Sequence, residues 1–567
     1  MRHSHSHQET RRGRYLPLSL LLAASVLATG AQSAGQPPSA ADTRAADSIT
    51  AAQLRDYLTF VASDELEGRN TPSRGLDTAA KFIAMMLARW GARPAGDNGT
   101  FFQKMALRKS GLDPAATTAV IAGRTLRYGT DFLAGAGTAF GSPAAGAAEG
   151  PVVFAGHGWT VKAKGIDPYA GLDVRDKIVA LFPTGFGLPK GVVQEDLQGK
   201  QGEDWDNATG YAQRHGAKGI LWLPTYSTMA GWERALQSAG RQSTSVVKFA
   251  PTAPAVPAIT LSASAMDELF RGEKQSGMPL FAKLTAGDTA ESFALTPTRS
   301  VRFSVGLKSE EATTQNVVAV VEGRDEKLKG EYVAFGAHYD HVGVAESGMG
   351  DVIFNGADDD GSGTVALLSI AEAFLRGPRP KRSLLFVWHA GEEKGLWGSR
   401  YFTESPTVPL DRIVAQLNID MIGRSKKEGD PNPANRNLSG PNQIYVIGSR
   451  MMSTELGELS DRVNASYLKL AFDFRYDDPK DPNRFFFRSD HINYARKGIP
   501  IIFYFDGVHE DYHRPSDSPD RIDYEKLEKV TRTICATGAA LAEVPARPKV
   551  DKQLPPEGQQ GRRRTQD

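Results

Sequence analysis

One cysteine, Cys535, stands in a chain of 567 residues. No intrachain disulfide can form, so stability outside the cytosol has to come from core size rather than covalent staples. Neither sign of charge is in excess: 67 Lys+Arg against 66 Asp+Glu leave a formal +1. That balance lacks the electrostatic footprint that nucleic acid or an anionic membrane surface requires. Long apolar runs are missing as well, since the stretch Leu16 to Ala28 has thirteen residues and a membrane-spanning helix needs ~20. No repeat of fixed period is present, which sets solenoids and propellers aside. What remains is ordinary globular usage, 40% hydrophobic and 23% charged. The chain is too long for one core, and at least two domains are expected.

The N-terminus has its own pattern. Arg11-Arg12-Gly13-Arg14 precedes the apolar run, and small residues follow through Ala31-Gln32-Ser33-Ala34. Residues 1–34 therefore read as a signal peptide, and the mature protein is expected to be periplasmic or secreted, with no stable membrane span. Arg14 stands where a twin-arginine signal turns apolar, which favours the general export route. At the other end, 548–567 is Pro-, Gln- and Arg-rich and is expected to be a disordered tail.

Between the ends the texture changes twice. Helical spacing at Leu54-Tyr57-Leu58-Val61 and Ala79-Phe82-Ile83-Met86-Leu87 predicts two helices early in a first segment, 48–117. A Gly-, Ala- and Thr-rich stretch with short strands such as Lys177 to Phe182 marks a different unit over 118–300. From 301 to 547 strands alternate with helices, and Leu384 to Trp388, Ile413 to Ile419 and Ile499 to Phe505 are nearly continuous apolar runs. Such runs belong to strands covered on both faces, hence an α/β domain with a largely parallel sheet.

Five groups of acidic residues and histidines follow predicted strands of that domain, at the strand ends where open α/β sheets place ligands. His338 and Asp340 are two apart, a spacing that lets a carboxylate orient an imidazole whose other nitrogen meets a metal. Asp358-Asp359-Asp360 puts three carboxylates together before a helix, more than one helix cap needs and repulsive unless a cation neutralises them. Glu392-Glu393 follows a buried-looking strand, where one glutamate can bind metal while the other moves protons. Asp420 ends an apolar strand, where burial without a partner is costly. His509 to His513 follows the last strand.

In order and spacing, His338-Tyr339-Asp340, Gly356 to Gly363, Gly391-Glu392-Glu393, Asn418-Ile419-Asp420-Met421 and Tyr512-His513 resemble the co-catalytic di-zinc aminopeptidases of metallopeptidase family 28. Ser63 to Arg69 looks like that family's opening helices. Gly156-His157-Gly158 with Asp167 to Val179 resembles a protease-associated (PA) domain inserted into the peptidase. The resemblance implies a zinc-exopeptidase (phosphorylase/hydrolase-like) α/β sandwich with a mixed, largely parallel sheet plus a β-rich insert. It implies two Zn²⁺ per chain, bridged by Asp359, with His338 and Asp420 completing one site and Glu393 and His513 the other. Glu392 matches the general base and Asp340 the partner of His338. Beside these matches, Tyr512, next to His513, is a candidate donor to the developing oxyanion, and Asp490 a candidate support of the metal shell. Gly391 stands where relatives often have Ala. The implied substrates are peptide or protein N-termini, attacked by metal-activated water. A carboxypeptidase or glutaminyl cyclase of the same fold, or a transferrin-receptor-like binding ectodomain without a working site, are the alternatives. Oligomeric state is not legible.

Overall fold

Alternate residues of the C-terminal strands face two separate cores. Val317, Ala319 and Val321 lie in one with Val333, Phe335 and Ala337. Val318 and Val320 lie in the other with Ala334, Leu385 and Val387. The two-residue period of a strand requires this division, and burying both faces requires helices on both. The helices Ala51–Val61, Arg74–Trp90, Gly363–Arg376 and Tyr524–Glu543 contribute to the first core. Trp397–Glu404 and His491–Ala495 contribute to the second. Local signals set the helix ends: the Ser73 side chain accepts from Leu76 N–H at the start of Arg74–Trp90, and Gly91, at φ 81°, stops it in the left-handed region.

The structure is a computed structural model that describes residues 40–554 apart from 136–142, 185–186, 251–254, 287 and 289. The expected signal peptide, 1–34, lies outside the described residues, as does 555–567 of the expected tail. Residues 549–552 correct the tail assignment. Lys549 N–H donates to the Glu455 carboxylate, Asp551 N–H to the Met452 carbonyl, and the Asp551 carboxylate accepts from Thr454 N–H. At the start of the helix Thr454–Ser466 the Ser453 side chain accepts from Leu456 N–H, and Asp551 supplies the acceptor for Thr454 N–H.

In the main sheet the strands Ser383–His389, Tyr332–His338, Ile413–Ile419 and Ile501–Phe505 are neighbours in that order and all parallel. Antiparallel strands flank them, Val301–Val321 on one side and Gln443–Ile447 on the other. The mixed α/β sheet expected from the sequence is present, with its parallel pairs at the centre. From Tyr332–His338 the chain visits one neighbour and then crosses to the other, so the end of that strand lies where strand order reverses. Open α/β sheets bind ligands at that point.

The middle segment has a second sheet of six strands. Val152–Phe154, Ile178–Leu181, Gly219–Trp222 and Ala258–Leu261 are parallel, edged by antiparallel Phe293–Ala294 and Phe132–Ala134. Two strands, Phe102–Ile121 and Val301–Val321, pair from Phe102↔Val317 to Ile121↔Val301. They form a ribbon, with a register shift between Ser304 and Gly306, from the main sheet into the second unit, whose core takes up Ala119, Ile121, Phe303 and Val305. At its base, Asn316 donates to Gln103 Oε1 and the Gly398 carbonyl and accepts from Ala390 N–H.

Arg69 ties the N-terminal helices to the main sheet. Its guanidinium is fully buried and donates to the carbonyls of Val61, Tyr339, Asn355 and Gly356 at 2.6 to 2.9 Å. Burial lowers its pKa to about 10 despite the surrounding aspartates. Lysine has one nitrogen and cannot span four carbonyls. Arg69→Lys is expected to cost about 3 kcal/mol of unfolding free energy, the sum of two or so buried acceptors left without donors. Urea unfolding measures it, and a midpoint equal to wild type would remove Arg69 as a structural tie.

Candidate metal centre

Each chemical group sits at or just beyond the C-terminal end of a central strand. His338 is the last residue of Tyr332–His338 and Asp420 directly follows Ile413–Ile419. Glu392 and Glu393 follow Ser383–His389, and His513 lies in the loop after Ile501–Phe505. Asp358 to Asp360 form the irregular turn Ala357–Ser362, which runs into the buried helix Gly363–Arg376.

These residues converge. His338 Nε2 lies 3.3 Å from Asp359 Oδ1 and 3.6 Å from Asp420 Oδ1. His513 Nε2 lies 3.0 Å from Asp359 Oδ2 and 3.1 Å from Glu393 Oε1. One oxygen of Asp359 therefore faces each histidine. Two donor groups result, His338–Asp359–Asp420 and His341–Asp359–Glu393–His513, each with its ligand atoms within 4.8 Å of one another. All five residues assigned to metal from the sequence are brought together, and His341 joins them. Sequence reasoning gave His341 no role, although it stands three residues after His338 in the same motif.

Main-chain contacts distinguish the three adjacent aspartates. Asp358 Oδ1 accepts from Gly423 N–H at 2.7 Å, and its other oxygen faces His509 Nε2 at 3.3 Å. Asp360 accepts from the N–H groups of His338, Gly363 and Met421. The carboxylate of Asp359 is the one turned toward His338 and His513. The Asp517 carboxylate accepts from Asp358 and Asp359 N–H and fixes the turn from behind.

Asp340 acts by a different atom from the one expected. The His338 Nδ1 contact at hydrogen-bond distance is the Asp340 main-chain carbonyl, at 3.1 Å, while the Asp340 carboxylate is 3.7 Å away. That carboxylate instead accepts from Glu392 N–H at 3.1 Å. A carbonyl at Nδ1 leaves the Nε2 lone pair facing Asp359 and Asp420. Asp490 lies 3.3 Å from His389 Nδ1, and His389 Nε2 meets the Tyr494 hydroxyl at 3.0 Å. Both histidine and tyrosine were left without a role by the sequence.

The electrostatics are those of a site built for positive charge. Burial opposes the ionised form of the Asp359 carboxyl, yet His338 and His513 hold it well below the usual range. Burial lowers the His513 imidazole, but Asp359 and Glu393 carry it up to about 11. Burial, and then the Asp359 charge, would raise Glu393, which His341 and His513 bring down to about 2. Glu392 goes the other way: burial raises it well above the ordinary range, and Glu393, Asp420 and Asp490 add to the rise against His338.

Imidazole nitrogens and carboxylate oxygens in this grouping are a donor set suited to zinc. The fit is tested by unpartnered buried atoms: His341 Nδ1 and Nε2, His513 Nε2 and Glu393 Oε1 have no hydrogen-bond partner. Buried polar atoms are rarely left so. A cleft opens beside the cluster, lined by Asp359, Glu392, Asp420, Arg488, Ser489 and Tyr512 and by apolar Met421, Phe485, Phe503, Phe505 and Val508. Of the run Phe485 to Phe487, Phe485 reaches the cleft, whereas the Phe486 ring packs near His491.

Residues 316–538 match Peptidase family M28. Among curated relatives, leucine aminopeptidase 2 of Arthroderma otae is 27% identical over 289 residues, 46% of this chain and 52% of that protein. A probable zinc metalloprotease of Pyrenophora tritici-repentis is 27% identical over 272 residues, 42% of this chain and 53% of that one. The chain thus spans about half the length of the curated relatives it matches. Among solved structures, an aminopeptidase from Aneurinibacillus sp. strain AM-1 is similar with a TM-score of 0.49 at 18% identity, covering 91% of this chain and 100% of that one.

Behind the cleft, His491 stacks on Phe503 at 4.6 Å, and its Nε2 meets the Phe486 carbonyl at 2.8 Å. Burial lowers its imidazole to about 4, whereas a histidine in the unfolded chain titrates near ~6.5. Between those values the unfolded state takes a proton that the folded state refuses. The stability present above pH ~6.5 is therefore lost as pH falls toward 4. His491→Gln keeps an N–H donor and removes the titration. From pH 7.5 to pH 5 wild type is expected to lose about 2 kcal/mol more than this variant in urea unfolding. Equal losses would take His491 out of the acid response.

Proposed function

We propose that this chain, whose residues 316–538 match Peptidase family M28, is an exported di-zinc aminopeptidase of that family acting on the N-termini of peptides and proteins. One observation carries the reading: Asp359 turns one oxygen to His338 and the other to His513, beside the buried Glu392 at the cleft. His338, Asp359 and Asp420 would hold one zinc ion, and Asp359, Glu393 and His513 the other. When bound, the two ions supply Lewis acidity and water of lowered pKa.

The chain's own residues do the rest. Glu392, kept basic by burial and by neighbouring carboxylates, takes a proton from the attacking water and returns it to the leaving amine. Asp340 fixes the Glu392 main chain, and so the direction from which that carboxylate approaches. Burial raises the Tyr512 hydroxyl well above its ordinary range, which keeps it a proton donor for the developing oxyanion. The carboxylates of the cleft attract a protonated α-amine, while Met421, Phe485, Phe503 and Val508 give the first side chain an apolar wall. An apolar N-terminal residue is the preferred substrate in this reading, in line with the leucine aminopeptidase name of the fungal relative. Export rests on residues 1–34 of the sequence, and the protease-associated nature of the middle unit on its Gly156 to Val179 motif.

Glu392→Gln is expected to retain two zinc ions by elemental analysis while turnover of a leucyl substrate falls about 10²–10⁴-fold. Unchanged turnover would remove Glu392 as the base. In a panel of aminoacyl substrates, those with a free amine and an apolar first residue are expected to be cleaved. The same compounds with a blocked amine are expected to resist. Cleavage of blocked and not of free termini would overturn the aminopeptidase reading.

A further inference from the structure

His341 is outside the five-residue set inherited from the sequence motifs, yet it is fully buried against it. Its Nδ1 stands 2.8 Å from Glu393 Oε1 and 3.8 Å from Asp359 Oδ2. Its ring meets that of His513 edge to face, with 5.4 Å between centroids. At 2.8 Å an imidazole and a carboxylate ordinarily share a hydrogen bond, but this pair does not meet that geometry: His341 Nδ1 and Glu393 Oε1 both lack a partner, as does His513 Nε2. Three unpartnered donor atoms around one buried point call for a common partner.

The spacing says what kind. His341 Nδ1 lies 2.8 Å from Glu393 Oε1 and 3.8 Å from Asp359 Oδ2, and His513 Nε2 lies 3.1 and 3.0 Å from the same two oxygens, so each imidazole-to-carboxylate separation falls between 2.8 and 3.8 Å. A tetrahedral ion with bonds of ~2.0–2.1 Å to nitrogen and oxygen sets its ligands about 3.3 Å apart. The backbone is shaped to admit the ring. Gly356 has a φ of +54°, and a Cβ there would fall 2.5 Å from His341 Cγ and 2.3 Å from the Asp359 carbonyl oxygen. A side chain at 356 would drive the imidazole away from Glu393.

We propose that His341 Nδ1 is a direct ligand of the cation held by Asp359, Glu393 and His513. That position then has four protein donors, while the other, His338–Asp359–Asp420, has three. The inference rests on the two-metal reading above and divides its sites by role. Four protein ligands make a closed site, and three leave a coordination position open. Of the ligands not shared between the two groups, Asp420 lines the cleft, and His338, His341, Glu393 and His513 do not. The exchangeable position, and with it the contact to substrate, belongs to the His338–Asp420 side.

The test is nuclear magnetic resonance of the whole protein labelled with ¹⁵N-histidine and loaded with ¹¹³Cd²⁺. Three imidazole nitrogens are expected to show scalar coupling to cadmium, two of them Nε2 and one Nδ1. In His341→Gln the Nδ1 coupling disappears and that of His338 persists. Affinity for one of the two zinc equivalents is expected to fall more than the ~10–100-fold caused by losing an outer partner of a ligand. Two coupled Nε2 nitrogens and no coupled Nδ1, in a protein holding two cadmium ions, would overturn the assignment of His341 and leave the two-metal reading standing. A protein that takes up no cadmium or zinc would overturn both.

Discussion

Negative charge is concentrated where water is scarce. Asp359, Glu392, Glu393 and Asp420 are packed together at the ends of parallel strands, with Asp340, Asp358 and Asp360 directly behind them. Each ionised carboxylate loses hydration there and repels the next, so the arrangement is tolerable only if positive charge is held among them. Histidines alone offer partial relief, at the expense of binding protons far more tightly than free imidazole does, as the His513 value of about 11 illustrates. Divalent cations relieve it fully, and Glu392, left outside both donor groups, keeps a carboxyl pushed well above the ordinary range by burial and by its acidic neighbours.

The scaffold is arranged to hold this charge in place. Parallel strands deliver His338, Asp420, the glutamate pair and His513 to one end of the sheet, and main-chain N–H groups engage Asp358 and Asp360 so that Asp359 is left facing inward. Arg69, far from the metal ligands in sequence, gathers four carbonyls from the N-terminal helix and from the loops after His338 and before Asp358. Those loops carry the cluster, which explains why the opening helices precede the middle unit yet pack on the domain that follows it.

Much of this is legible in the amino-acid sequence. Continuous apolar strands announced a sheet covered on both faces, and acidic residues at their ends announced ligands, because burial and charge leave marks on side-chain order. Contacts made by the main chain leave no such mark. Asp340 was assigned to His338 through its carboxylate, and it is the carbonyl of the same residue that lies within hydrogen-bond distance of the ring. His341 escaped notice for a related reason: its approach to Glu393 depends on the left-handed turn at Gly356, not on any spacing within its own motif. The boundary drawn at residue 118 falls inside the strand Phe102–Ile121, since a strand that passes from one core to another shows no break in its alternation. Residues 549–552 read from composition as a tail, whereas main-chain bonds to Glu455 and Met452, together with the Asp551 carboxylate at a helix start, dock them.

The ribbon between the two sheets has a mechanical meaning. Its strands run from the second core, past a register shift between Ser304 and Gly306, to Asn316, whose amide is bonded on one side to the neighbouring strand and on the other to Ala390, two residues ahead of Glu392. The root of the outer unit and the acidic cluster thus share one hydrogen-bonded mount, which ends two residues from Glu392.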